Sequence, residues 1–236
     1  MKLALLGYGK MGKAIKKIAL ERGHHIVMEA NSSTAIDQED LKKADVAIEF
    51  STPETVVDNI VKCFNVNLPV VVGTTGWDNH LPDLQATCKR QNQALFYASN
   101  FSIGVNIFFK INILLAKLMN EQENYDVAIK ETHHTEKLDT PSGTAITLAN
   151  SIIENNNKKS GWADSETDKK GEVLISAFRE KDVPGTHVIT YDSDIDRIEI
   201  KHEAKNRKGF ATGAVLAAEW LKEKKGVYTM NDLLKL

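Results

Sequence analysis

The sequence predicts an α/β protein in two parts, an N-terminal doubly wound parallel sheet and a C-terminal α+β domain with a mostly antiparallel, mixed sheet. Three observations carry that expectation. Over roughly the first hundred residues, short and fully apolar runs alternate with segments of helical period, as parallel strands buried on both faces require. A glycine triplet stands directly between the first such run and the first helix. After Ser102 the texture changes to a long amphipathic helix, a polar tract, and segments in which apolar and polar residues alternate, the signature of a sheet with one wet face.

Taken in order, Leu3 to Leu6 reads as the first strand and leads at once into Gly7-Tyr8-Gly9-Lys10-Met11-Gly12. Lys13 to Arg22 follows with helical period and stops at Gly23, and Ile26 to Ala30 reads as a second strand. A strand, G-x-G-x-x-G, a helix and a second strand together form a dinucleotide-binding, Rossmann-like unit. A bare tight turn would explain the glycines but not their flanks. Such units place an acidic residue on the ribose hydroxyls at the end of the second strand. Here Asn31 takes that place, followed by Ser32 and Ser33, with Glu29 two residues earlier as the alternative register. Loss of the carboxylate removes repulsion against a 2′-phosphate, yet no Arg stands beside it. Cofactor choice between NADH and NADPH is thus open, the missing carboxylate favouring NADPH.

Asp45–Phe50, Pro69–Val72 and Ala94–Ala98 read as further strands, with helices over Glu54–Phe64 and Leu81–Gln91 between them. Ligands on doubly wound sheets bind at the carboxyl ends of strands. The clusters at Phe50 to Thr52, at Gly73-Thr74-Thr75-Gly76 and at Ala98-Ser99-Asn100-Phe101-Ser102 all fall there. Further on, Ile107, Phe108, Ile111, Leu114, Leu115 and Leu118 make a strong amphipathic helix. Residues 155 to 171 lack apolar period and read as a mobile loop, and Glu172–Phe178, Gly185–Tyr191 and Arg197–His202 read as strands. Phe210 to Lys224 returns to helix. The change of texture after residue 101 separates a dinucleotide part from a second part of different character.

A net charge of −2 over 236 residues leaves no basic field for nucleic acid or an anionic membrane. No apolar run approaches the ~20 residues of a membrane helix, and Cys63 and Cys88 read as reduced helix residues. The default expectation is a cytoplasmic protein.

One stretch concentrates chemistry. Tyr125 to Lys130 reads as a strand and Ala145 to Ile153 as a helix, and between them lies Glu131-Thr132-His133-His134-Thr135-Glu136-Lys137-Leu138-Asp139-Thr140-Pro141-Ser142-Gly143-Thr144. Pro-Ser-Gly-Thr falls where the helix begins, so unpaired N–H groups and the helix dipole make a carboxylate or phosphate site. Two His and a Lys just upstream are groups that donate protons near neutrality. An ordinary Ser cap with a solvated loop would account for the same spacing. Adjacent strand residues face opposite ways, so His133 and His134 can share a site only if the strand has ended. Glu131, His133, His134 and Asp139 lack the spacing of a zinc site, and no metal is expected. His24, His25, His80 and His187 read as surface or structural, and His202 as structural with a substrate contact as the alternative.

The run Glu-x-His-His-x-x-Lys-x-Asp-x-Pro-Ser-Gly-Thr-Ala resembles the signature of the 4-hydroxy-tetrahydrodipicolinate (dihydrodipicolinate) reductase family of lysine and diaminopimelate biosynthesis. Gly-Thr-Thr and Ala-x-Asn-Phe-Ser are similar to that family's cofactor-contacting segments, and the likeness runs through the C-terminal helix, which implies a dinucleotide domain of residues 1–101 with 210–236 and a substrate and oligomerisation domain of 102–209. It implies NAD(P)H-dependent reduction of a small cyclic dicarboxylate, with His133 and Lys137 as proton donors. His134, Ser142, Gly143 and Thr144 would hold substrate carboxylate. The cofactor would lie on Gly7, Tyr8, Gly9, Lys10, Met11, Gly12, Asn31, Phe50, Gly73, Thr74, Thr75, Ala98, Ser99, Asn100 and Phe101. The wide helix face and broad sheet of the second half point to oligomer contacts; the expected assembly is a homotetramer, a size the sequence alone leaves open. Two rivals are another amino- or hydroxy-acid dehydrogenase, which needs no Pro-Ser-Gly-Thr after paired His, and a dinucleotide-binding redox sensor, which needs a recognition module.

Overall fold

The computed structural model describes residues 1–31, 33–34, 36–164, 171–206 and 208–236. Ser32 and part of the polar tract, both named above, lie outside the described residues. In chain order the elements are β1 (Lys2–Leu6), α1 (Lys10–Glu21), β2 (His25–Ala30), α2 (Gln38–Leu41), β3 (Val46–Glu49), α3 (Val56–Asn65), β4 (Val70–Val72), α4 (Leu81–Arg90) and β5 (Ala94–Tyr97). Then come α5 (Ile103–Met119), β6 (Asp126–His133), α6 (Gly143–Asn155), β7 (Gly161–Ala163), β8 (Glu172–Arg179), β9 (Thr186–Asp192) and β10 (Arg197–Glu203). The chain closes with α7 (Lys208–Leu221), β11 (Gly226–Tyr228) and α8 (Met230–Leu234). Two compact units result, Met1–Asn106 with Lys208–Leu236, and Ile107–Arg207.

The first unit holds a six-stranded sheet in the order β11-β5-β4-β3-β1-β2, every pairing parallel. Leu3 to Leu6, Val46 to Ile48 and Val70 to Val72 are buried, because helices cover both faces. One face packs on α1 and α7 through Ile15, Ala214 and Ala218; the other packs on α3 and α4 through Ile60, Phe64, Leu84 and Cys88. Each fully buried aliphatic side chain contributes about 1.5–3 kcal/mol relative to exposure, which is why these strands read as unbroken apolar runs. Helix α1 starts at Lys10, three residues before the periodicity indicates, so Gly12 lies inside its first turn. Helix α7 lies against the strands by virtue of small residues, and a Cβ at Gly213 would stand 1.8 Å from the Phe101 carbonyl oxygen. Strand β11 and helix α8 escaped the sequence analysis; three residues of edge strand carry too little pattern.

The second unit holds a mixed sheet in the order β10-β9-β6-β8-β7. Strand β6 pairs antiparallel with β9 and parallel with β8, while β10–β9 is antiparallel and β7–β8 parallel. The polar tract expected to be a loop thus contains a short strand, β7, whose Trp162 packs on the core. Leu148, Ala149 and Ile152 of α6 pack with Val127, Ile129, Val173 and Ile189. Helix α5 turns Phe108, Asn112, Ala116 and Met119 inward, with the Asn112 amide donating to the Leu148 carbonyl at 3.1 Å. Part of its apolar stripe faces outward, leaving Ile107, Ile111, Leu114 and Leu118 exposed at 42, 45, 58 and 61%. No helix among the described residues is long and apolar enough to cross a membrane.

Candidate functional site

In the first unit the chain leaves β1 for β2 on one side and takes up β3 on the other, so a crevice opens between the carboxyl ends of β1 and β3. The three glycines divide their tasks there. Gly7 has φ +100°, and a Cβ on it would stand 2.0 Å from the Phe50 carbonyl oxygen. A Cβ on Gly12 would stand 2.4 Å from the Gly7 carbonyl oxygen. Both are required by packing. At Gly9 a Cβ meets nothing within 4 Å, and Gly9 caps α1 without a side-chain hydrogen bond. The first amides of α1 therefore face open space, which suits a pyrophosphate.

Two cavities adjoin this turn. One, of about 560 Å3, runs from Gly7, Tyr8 and Gly9 past Asn31 and Thr34 to Phe50, Asp58 and Lys62. The other, of about 400 Å3, joins Gly9, Lys10 and Met11 to Phe50 and to Gly73-Thr74-Thr75. Asn31 lines the first, whereas Glu29, its alternative, pairs with Lys16 at 2.7 Å. The Asn31 Oδ1 accepts from the Ser33 N–H, the Ser33 hydroxyl and the Thr34 hydroxyl at 2.9, 2.7 and 3.0 Å. Lys62 is tied to Asp58 at 2.6 Å. Ala98, Ser99 and Asn100 follow the end of β5, and Asn100 Oδ1 accepts from the Ser102 N–H at 2.9 Å. The Phe101 ring belongs to the core, between Phe50 at 5.6 Å and Phe96 at 5.8 Å.

In the second unit β6 continues through His133, beyond the expected end, and stops there. Glu131 and His133 therefore share the buried face two residues apart. His134, past the strand, lines a separate cavity of about 310 Å3 with Thr135, Glu136 and residues 181–184. Glu131 is wholly buried. One of its oxygens pairs with His133 Nδ1; the other accepts from the Ser142 N–H at 3.1 Å and from Arg179 Nη1 at 3.2 Å. Burial by itself would raise the Glu131 pKa, but the bonds from His133 and Ser142 outweigh it and hold the carboxyl at about 2.

Strand pairing completes the cluster. His187 stands opposite Glu131 on β9, and Arg179 opposite His133 on β8. The His187 and His133 rings meet edge to face at 5.0 Å, and His187 Nε2 lies 3.3 Å from the Ser142 hydroxyl. Burial, with the His133 charge adding to it, depresses His187 to about 3, so it is neutral near pH 7. Arg179 also reaches the Lys137 and Asp139 carbonyls at 3.3 and 2.6 Å and the Thr140 hydroxyl at 2.8 Å. It thereby ties down the loop between β6 and α6, in which Thr140–Pro141 is a cis peptide.

Helix α6 begins at Gly143, with the Ser142 hydroxyl accepting from the Ala145 N–H at 3.2 Å. Gly143 has open space where a Cβ would be, and Thr144 occupies the same first turn. Lys137 Nζ lies 2.8 Å from both oxygens of Asp139. Those bonds, with help from the Gly143 N–H, hold Asp139 below the usual carboxylate range. Glu131, His133 and His187 also present ligand atoms within 4.8 Å of one another. Arg179 on the shared carboxylate supplies a cation already, which disfavours a metal ion there. Glu131 as a hub, Arg179 and His187 were all missed as site residues. His187, read as surface or structural, is buried at the centre of this cluster; its signal lies in strand register, which single-sequence patterns do not carry.

Family models for the dihydrodipicolinate reductase N-terminus and C-terminus match residues 1–101 and 104–234. The chain belongs to the dihydrodipicolinate reductase family. It is 51% identical over 236 residues to the 4-hydroxy-tetrahydrodipicolinate reductase of Christiangramia forsetii, covering 99% of this chain and 98% of the relative. To the enzyme of that name from Methanoregula boonei it is 33% identical over 198 residues, covering 83% and 76%. In fold it is similar to a dipicolinate-bound dihydrodipicolinate reductase from Paenisporosarcina, with TM-score 0.81, 24% identity and 97% of each chain covered. As a member of the dihydrodipicolinate reductase family the protein is an oxidoreductase that uses a nicotinamide dinucleotide.

Proposed function

We propose that this reductase converts 4-hydroxy-tetrahydrodipicolinate to tetrahydrodipicolinate with NADPH or NADH, in lysine and diaminopimelate biosynthesis. The observation that supports a site on β6 and α6 is one continuous chain of bonds. His133 pairs with Glu131, and Glu131 accepts from the Ser142 N–H at the start of α6. Proton donor and anion-binding turn are thereby held by the same carboxylate.

The dinucleotide supplies the hydride when bound. Gly7 to Gly12 cradle its pyrophosphate, Asn31 meets the adenosine ribose, and Phe50, Gly73 to Thr75 and Ala98 to Phe101 border the rest. On the substrate side Ser142, Gly143 and Thr144 hold a ring carboxylate at the positive end of α6, while His134 lines the cavity of residues 181–184. Hydride arrival leaves an electron-rich centre, and His133 and Lys137 deliver its proton. The Glu131 contact occupies His133 Nδ1, which leaves Nε2 as the nitrogen that presents a proton. Asn31 brings neither a carboxylate to repel a 2′-phosphate nor a cation to attract one, so both cofactors serve. The outward part of the apolar stripe of α5 supports assembly, read here as a homotetramer working in the cytoplasm.

The test follows NADPH and NADH oxidation with freshly generated 4-hydroxy-tetrahydrodipicolinate, alongside light scattering for the assembly. Turnover dependent on that substrate is expected with both cofactors. Oxidation only with an unrelated amino or hydroxy acid would overturn the assignment.

A further inference from the structure

A second buried glutamate lies outside the substrate cluster. Glu49 ends β3 with no solvent exposure, and among the described residues it has no ion-pair partner. Four protons converge on it. Oε1 accepts from the Ser51 hydroxyl, from the Ser51 N–H at 3.2 Å and from the Asn59 amide at 3.1 Å. Oε2 accepts from the Thr74 hydroxyl at 2.6 Å. Thr74 Oγ1 in turn accepts from the Ser51 N–H at 2.8 Å.

This arrangement joins the loop after β3 to the loop after β4, and both line the cavity beside Gly9 to Met11. An unpaired buried carboxyl costs several kcal/mol unless its lone pairs are satisfied, so its retention at a cavity wall calls for a reason. We propose that Glu49 is a positioning residue of the cofactor site, fixing the Gly73-Thr74-Thr75 loop and the Ser51 turn against the nicotinamide riboside half of the dinucleotide. With the adenosine beside Asn31 and the pyrophosphate at Gly9, that half is the one left for the second cavity. The inference rests on the cofactor reading above.

A glutamine cannot replace the carboxyl. Its N–H2 would face Thr74 Oγ1, which already accepts from Ser51, so the Thr74 hydroxyl must turn and the loop with it. Fluorescence titration of E49Q should show NADH affinity at least about tenfold weaker, while ADP, which lacks the nicotinamide riboside, binds within about twofold of native. The dicarboxylate KM at saturating NADH should stay within about twofold. Adding T74V to E49Q should weaken NADH by less than a further twofold, since the two act as one unit. NADH binding by E49Q at native strength, or equal weakening of NADH and ADP, overturns the proposal. If G9V too binds NADH like the native protein, it is the cofactor reading that fails. Should E49Q not fold, T74V must show the NADH-selective loss and T74S native binding; otherwise the proposal falls.

Discussion

Two glutamates, each without solvent exposure, show how differently the two units handle a buried charge. Glu49 is surrounded by neutral donors, and burial pushes its carboxyl above the ordinary value, only partly offset by Ser51, Thr74 and Asn59. Glu131 pairs with His133 and Arg179, and falls to about 2. Company, rather than burial, sets the direction. The same contrast runs through the sites around them. In the proposed reading, the first unit would meet its ligand with glycine backbone, an uncapped helix start and an amide, and the second with Lys137, paired His and a loop tied by Arg179. On that reading one unit would recognise a large, invariant cofactor by shape, and the other would also move a proton.

If that division is right, damage to one unit should leave the other's parameter alone. The largest effect is expected from His133→Ala and Lys137→Ala, each lowering kcat roughly 10²–10⁴-fold, the range for a lost general acid. NADH affinity in both should equal the native value by titration. A near-native kcat for Lys137→Ala would leave the stretch an anion site only. Gly9→Val comes next. Its φ of −87° and open surroundings tolerate a side chain, so the melting temperature should hold while NADH affinity falls about a hundredfold, about 2.7 kcal/mol. Unchanged affinity in the folded variant would remove the glycine turn from the cofactor site.

A third test is acid stability. In the folded chain His187 stays neutral to about pH 3, against an ordinary 6.5. The unfolded chain thus takes up a proton between those values that the folded one refuses. Stability must fall as pH drops through that window, by up to about 1.4 kcal/mol per pH unit. Glu131 has the same sign below its ordinary 4.5, its contribution fading as pH falls towards about 2. His187→Gln should flatten the loss between pH 6.5 and 5 in urea unfolding and leave the steeper region below 4.5; an unaltered slope would mean that His187 titrates normally. The smallest effect is at Asn31. Native kcat/KM values for NADPH and NADH should lie within about tenfold, and Asn31→Asp should shift them toward NADH by less than about 1.4 kcal/mol. Strict use of one cofactor by the native protein would assign the choice to another residue.

The parallel sheet was legible because its strands are buried on both faces, so Leu3 to Leu6 and Val70 to Val72 write their environment into local composition. The glycine turn and the helix start at Ser142-Gly143 were legible for a similar reason, since φ sign, close backbone approach and capping are demands on single residues. What sequence alone determined, then, is what neighbours along the chain decide. That Gly9 is open while Gly7 and Gly12 are packed, that α5 turns part of its apolar stripe outward, and that β6 runs on to His133 came only from tertiary structure. So did the placing of His187 and Arg179 beside Glu131, because strand register brings together residues from β6, β8 and β9 that no local pattern connects. The two glutamates have the same side chain; the direction in which each carboxyl shifts is settled by partners that only the fold supplies.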